Sequence, residues 1–487
     1  MINKFQRVIS WIILICVAIF TTLVFFQMWH NLFKNYFKFE PQNYVTFLVV
    51  GFVLVVAAGV ILYMIRDDIV AVNRGVLIIL LIVFAIIAIV WVKSVPQTQI
   101  SDFGNFWNRA PDALHGKPIY AFDNDYFAKW AYQTGFLVYV MAVIKIFGYH
   151  VVAIQYLNIL YQVLILLVSY KLVVKIFDNI KMARITVLLL MVNLDWFALN
   201  SQADNQYIGS LLFLTTFLLI LQDKYWAYAL SGLTLALGAI VRPIGPVIIA
   251  GIVVFGIFYV MFKNNKFHLD AIWKFLIVLA IYFAIFSGAG MLIKSSGLNQ
   301  YGLSNRDSEW KFVTGLDYGS NGTYDQKLVN KFDLTESRAK MSKQEHKVIN
   351  QHVGFIKQDH RWFHLFYQKL SILWAERSSG IDFTSIETNH SQDTVSTMRY
   401  VGYIGSVITI IFSWIGSLRL FKFEFKNGLF LLLLPLMAFV VIQLVIEVQG
   451  RYRIEFIPVL AMLGGTGVVA IFDWFSSKVK HKTVNRI

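Results

Sequence analysis

Residues Gly75 to Ser94 read GVLIILLIVFAIIAIVWVKS, and the chain continues VPQTQISDFGNFWNRAPD through Asp112. The first part is an apolar run without period-two alternation, and its length matches the roughly 20 residues that cross a bilayer as helix. In lipid a spanning backbone must satisfy its own hydrogen bonds, so a run of this kind reads as helix rather than strand. The second part is polar and aromatic, and it puts a carboxylate, Asp102, a few residues beyond the end of the run.

The same kind of run recurs along the 487 residues. Candidate spans lie at 8–27, 45–65, 75–94, 151–170, 185–200, 207–222, 226–241, 244–262, 271–293, 401–420, 428–446 and 455–472, with a shorter apolar stretch at 134–149. Apolar residues make up 57% of the chain and charged residues 15%, against about 25% charged in soluble domains. Mean hydropathy is +0.62. The fold class expected is an all-α polytopic membrane protein with about twelve transmembrane helices, one partial or interfacial helix and a loop domain outside the cytoplasm.

The net charge is +15, and the Lys and Arg sit between apolar runs rather than in one patch. That placement reads as topology signal and headgroup contact, not nucleic-acid binding. Lys4 and Arg7 put the N-terminus inside, and the first run reads as a retained anchor. With 134–149 as a partial helix, Lys171 to Arg184, Lys263, Lys266, Arg419 and Lys422 also fall inside. The weak point is the loop at 28–44, which would be outside with His30, Lys34 and Lys38. The implied organisation is N-terminal helices over 1–94, a first outer loop over 95–133, a transmembrane core over 134–293, an outer loop domain over 294–400, and C-terminal helices with a basic inner tail over 401–487.

Three polar clusters and a lone arginine then fall at the outer ends of spans. Asp102 can act as a general base in a partly dry site, or it can cap a short surface helix starting near Phe103. Asp204 and Asn205 form a second cluster, with Asp195 slightly deeper. Arg242 lies at the depth of lipid phosphates, where it can grip one through paired donors or serve as an anchor. The third cluster, Glu447-Val-Gln-Gly-Arg451-Tyr452-Arg453-Ile-Glu455, presses charges of both signs between two apolar spans. Such residues are costly there, and anchoring alone does not account for them. His360 and His364 stand four apart, but no thiol joins them and Arg361 occupies the place of a zincin glutamate, so no metal site is assigned. No phosphate-binding glycine loop is present, so ATP is not expected as a substrate.

Taken in order, several stretches resemble the GT-C superfamily of membrane glycosyltransferases. The resemblance is to the bacterial dolichyl-phosphate-mannose protein mannosyltransferase group, which includes the aminoarabinose transferase of lipid A. The stretches are Ser101-Asp102-Phe103, Gly116 to Tyr120, Tyr132 to Phe136, Gly238 to Pro243, Trp310 to Gly315, Gly319 to Tyr324, Lys369 to Trp374, and Arg451-Tyr452 with Pro458. The resemblance implies a multi-pass protein of the cell (plasma) membrane with its active site on the extracytoplasmic face. Its donor would be a polyprenyl-phosphate sugar and its acceptor a cell-envelope polymer, glycolipid or protein. No cofactor is implied, although a divalent metal is left open. Asp102 would be the catalytic base, with Arg242, Arg451 and Arg453 on the donor phosphate. Arg109, Asp204, Asn205 and Tyr452 would bind substrate. The chain departs from the pattern where Phe103, not a second acid, follows Asp102, and in two extra spans before the loop. The alternative reading is a transporter or flippase of lipid-linked sugars or polysaccharide. A weaker one is a structural subunit whose outer loop binds a partner.

Overall fold

A computed structural model describes residues 2–37, 41–122, 125–263, 266–305, 309–333, 336–422 and 426–484. Lys38 lies outside them. The long helices are α1 (Ile2–Asn31), α2 (Pro41–Met64), α3 (Val70–Ser94), α4 (Ser101–Leu114), α5 (Thr134–Phe147), α6 (Val151–Phe177), α7 (Ile180–Met191), α8 (Leu194–Phe197), α9 (Gln206–Ile220), α10 (Tyr225–Val241), α11 (Gly245–Phe255) and α12 (Leu269–Ser295). After them come α13 (Trp310–Gly315), α14 (Arg338–Gln358), α15 (Trp362–Leu370), α16 (Gln392–Arg419), α17 (Asn427–Gln443) and α18 (Ile457–Val484). The only strands among the described residues are two short ones, Phe262–Lys263 and Lys266–Phe267, paired as a hairpin.

The chain is a multi-pass membrane protein. Among the described residues seven helices are long and apolar enough to cross a bilayer, or eight if one bent pair counts as a span. Each of the twelve apolar stretches contains helix, but five apolar helices are only 10–17 residues long. The stretch at 185–200 is not one straight helix. It breaks between α7 and α8 with a 70° bend. Asn193 sits at the break and its Oδ1 accepts from Trp196 N at 3.1 Å, so a side chain competes with the helix ladder and starts a new helix.

The helices differ in how they meet lipid. The apolar part of α18 is 89% buried within the protein, while that of α2 or α12 is 17% buried. Thus α18 forms the axis of the bundle and α2 and α12 lie at its rim. The contact between α16 and α18 is close because glycine lines it. A side chain at Gly416 would meet Leu463 O at 1.9 Å, and one at Gly467 would meet Phe412 O at 2.3 Å. Small residues let helix backbones approach where no hydrophobic drive brings helices together. At one end of the bundle Trp29 and Phe33 of the α1 end, with Phe363 and Tyr367 of α15, are exposed. That end carries the 294–400 segment, which has two small apolar cores of its own. One is built on Trp310, Val313 and Met341, the other on Leu316, Ile356 and Leu365.

Overfilling a close contact of this kind costs about 1–3 kcal/mol. Gly416→Leu is therefore expected to lower the unfolding free energy in detergent by that amount. A titration with denaturing detergent, followed by helix circular dichroism, measures it.

Candidate active site

The three polar clusters meet at the end of the bundle beneath the 294–400 segment. Asp102 occupies the first turn of α4, where a helix dipole favours a carboxylate. The helix begins at Ser101, and Ile100 stands at its cap position, so Asp102 is not the cap residue. Ser101 itself is held at φ +54°, a left-handed conformation unfavourable for a residue with a side chain. Aromatic packing of Phe106 on Phe136 and Trp107 on Tyr149 fixes α4 in place.

The Asp102 carboxylate accepts from Arg451 Nη2 in an ion pair. Arg451 is nearly buried at 7% exposure, whereas Asp102 keeps 31%, so the carboxylate is the partner that solvent and substrate can reach. The guanidinium lies over the rings of Phe103 at 5.1 Å and Phe383 at 4.7 Å. Phe103, the residue found where a second acid would stand, therefore supplies an aromatic face to the cation.

From Arg451 a continuous network runs outward. Arg451 Nε donates to Gln449 Oε1 at 2.9 Å, and Gln449 Nε2 donates to Glu447 Oε1 at 3.0 Å. Glu447 also accepts from Tyr452 OH at 3.2 Å and Thr314 Oγ1 at 3.2 Å, and it pairs with Lys311 Nζ at 3.3 Å. Burial alone would raise the Glu447 carboxyl, but Lys311 and these donors outweigh it and hold the group below its ordinary range. Lys311 Nζ stands 4.7 Å from the Trp130 ring centre. Burial works against its charge too, yet Tyr452 and Glu447 raise its pKa overall.

The inner side of the network holds Arg242, Glu455, Asn205 and Asp204. Arg242 Nε donates to Glu455, and Gln206 Nε2 donates to Glu455 Oε2 at 3.1 Å. Arg242 lies over the Tyr452 ring at 5.5 Å. Asn205 donates to Val241 O at 3.0 Å and accepts from Arg242 Nη1 at 3.4 Å. Asp204 is 1% exposed, and its Oδ2 has no hydrogen-bond partner among the described residues. Burial pushes its carboxyl up to about 7; Arg242 opposes this and Glu455 adds to it.

Two expected members stand apart. Arg453 does not join Arg451, although it is two residues away. It is 2% exposed, donates to Leu373 O and Glu376 O at 3.2 and 2.9 Å, and pairs with buried Asp195 at 3.5 Å. Its donors are turned into the bundle, so a phosphate-binding role does not fit this position. Arg109 lies two turns along α4 from Asp102, exposed and without an ion pair among the described residues. His360 and His364 do not share a helix either. His360 is in the turn between α14 and α15 at φ +53°. Among the described residues no group of three or more His, Cys, Asp or Glu is placed to hold a metal.

Lys311 falls within the resembling stretch Trp310 to Gly315 without a role read from the sequence, and Glu447 and Glu455 are legible there only as parts of a cluster. The available signal for Lys311 was one cation between Trp310 and Phe312 in a polar loop. A separate apolar cavity of about 320 Å³, with Leu14, Met182, Phe430 and Val469 in its wall, lies toward the opposite end of the bundle. It is not part of this network.

No protein-family model matches the chain, and no curated protein matches it. Two solved structures of an archaeal oligosaccharyltransferase from Archaeoglobus fulgidus are similar to it. One is AglB with an inhibitory peptide and a dolichol-phosphate, at TM-score 0.47 and 12% identity, covering 85% of this chain and 52% of that one. The other holds a tethered acceptor peptide, at TM-score 0.46 and 13% identity, covering 82% and 50%. The chain thus spans about half the length of these proteins.

A raised carboxyl binds an extra proton in the folded state between its unfolded and folded pKa. The Asp204 contribution to stability therefore falls as pH rises from about 4 to about 7 and is level above that. Asp204→Asn is expected to raise the melting temperature at pH 8 and leave it unchanged near pH 4. Thermal denaturation in detergent across that range is the check.

Proposed function

We propose that the protein is a GT-C-type membrane glycosyltransferase. It moves a sugar from a polyprenyl-phosphate donor to an extracytoplasmic acceptor: a cell-envelope polymer, a glycolipid or a protein. The observation that carries this reading is the Asp102–Arg451 pair, a reachable carboxylate held by a nearly buried guanidinium at the end of an apolar bundle. The ordered motifs support it. The distribution of loop Lys and Arg supports about twelve crossings, both termini inside, and an outward-facing site in the plasma membrane.

The pairing gives the reaction an order. Arg451 is already neutralised by Asp102, and Arg242 by Glu455. An arriving donor phosphate takes the place of Asp102 on Arg451, with Arg242 close by across the Tyr452 ring. That exchange frees the Asp102 carboxylate beside the sugar. Asp102 then takes the proton of an acceptor hydroxyl as the oxygen attacks C1. The C1–oxygen bond to phosphate breaks, and its electron pair stays on the phosphate, where the arginines stabilise it. Attack opposite the leaving phosphate inverts C1. The sugar is already activated by its phosphate, so no ATP enters. Tyr452, Asn205 and Asp204 shape the inner wall of the site.

Loss of a general base lowers rates by about 10²–10⁴-fold. Asp102→Asn is therefore expected to cut transfer from a radiolabelled undecaprenyl-phosphate sugar by at least about a hundredfold. It should bind sugar-free undecaprenyl phosphate at least as tightly as the natural protein, because Arg451 loses its internal competitor. Undiminished transfer would sink the base assignment. Label crossing the membrane with no new glycosidic bond would favour a transporter.

A further inference from the structure

The 294–400 segment covers the site, and α14 is its longest helix. Over its 21 residues α14 carries Arg338, Lys340, Lys343, Lys347 and Lys357. Its single acid, Glu345, is fully buried, so the helix itself adds no acid to its solvent face; from outside it, Glu309 accepts from Ser342 at 3.3 Å. Lys340 pairs with Glu336 at 3.0 Å. Lys343 and Lys347, and the neighbouring Lys331, have no ion pair among the described residues. They line two adjoining shallow clefts, an open one formed by α14 alone and one of about 290 Å³, which share Lys347 and Gln351. The walls of both clefts contain His but neither Asp nor Glu.

The clefts are one helix away from the chemistry. Met341 of α14 packs with Trp310 and Val313 of α13, and Trp130 packs on the same core. Lys311, the next residue of α13, reaches the Glu447 end of the active-site network. The face of α14 is thus joined through one packed helix to the Glu447 end of that network.

We propose that this lysine-rich face of α14 is a landing surface for a polyanionic acceptor chain, one bearing a phosphate or carboxylate in each repeat. The proposal rests on the glycosyltransferase reading and names the acceptor class for it. Exposed lysines are mobile point charges, and several of them spaced along a helix suit repeated charges rather than one compact ion. A bilayer surface fits less well. Of the exposed aromatics that suit an interface, Trp29, Phe33, Phe363 and Tyr367 lie on α1, the segment after it and α15, and Phe355 lies further along α14; none of them lines the α14 clefts.

The test uses the full chain in phosphatidylcholine nanodiscs, with long-chain polyphosphate as probe and neutral dextran as control. Polyphosphate is expected to bind and dextran not to bind. The triple variant Lys331→Glu, Lys343→Glu, Lys347→Glu should weaken binding at least tenfold with an unchanged melting temperature. Its plot of log Kd against log salt should flatten by about two to three units, as for three lost ion contacts. The triple Lys→Gln variant should weaken binding in the same direction. Equal binding of dextran, or triple variants that bind like the natural protein, would overturn the proposal. So would hydrogen-exchange protection of α14 by phosphatidylglycerol nanodiscs without polymer, which would assign the face to lipid. Binding is read without any sugar transfer, so failure of the Asp102 assignment and failure of this surface are separate results.

Discussion

A charge placed inside an apolar bundle must find a partner, because an unpaired ion there costs several kcal/mol. Most of the polar architecture follows from that constraint. Arg184 is fully buried and donates to Leu62 O, Ile65 O and Arg66 O, closing the end of α2. Arg453 has two carbonyls and Asp195, Arg242 has Glu455, and Lys274 has Asp223 and Asp270. Asp102 stays reachable on a nearly buried Arg451, as Asp223 and Asp270 do on Lys274, but Asp102–Arg451 is joined to a wider polar network through Gln449 and Glu447.

The same constraint joins the 294–400 segment to the bundle. Lys369 is 1% exposed, and its Nζ donates to Gly315 O and Ile446 O at 2.5 and 2.7 Å. Burial pulls the amine down to about 7, against the pull of Glu447. Gly315 lies against the same loop, where an added side chain would meet Ile446 C at 2.3 Å. Glu447 N donates to Lys311 O at 3.0 Å, and Val448 N to Gly322 O at 2.9 Å. Lys311 and Glu447 therefore face each other because the backbone on both sides is fastened.

Much of this was legible in the sequence. Apolar run length located the helices, since in lipid the backbone has few alternatives. The separate clusters around Asp102, Asp204, Arg242 and Arg451 were visible as costly residues at span ends. What periodicity could not supply was which donor meets which acceptor. Arg451 and Arg453 are alike in sequence, but a short 3₁₀ segment over Gly450–Phe456 sends them to different partners. The bend at Asn193 was hidden for a related reason. An apolar run reads as continuous even where one amide competes with the ladder. The role of Lys311 was hidden because a single lysine in a polar loop has no pattern around it that points to a partner.

Self-pairing of the cluster also sets a condition on what enters it. Each cation that could hold a phosphate already has a carboxylate, so the closed cluster projects little net field to attract distant anions. A visiting anion must trade places with an internal one, and that exchange is close to even in electrostatic terms. A small free anion has nothing else to tip the balance. Under the proposed function, a phosphate carried on a long hydrocarbon would, because its tail stays in the bilayer and would hold the headgroup at the level of Arg451 during the exchange. Paired charge would then act as a filter for lipid-borne phosphate, with the membrane providing the discrimination that the polar groups lack.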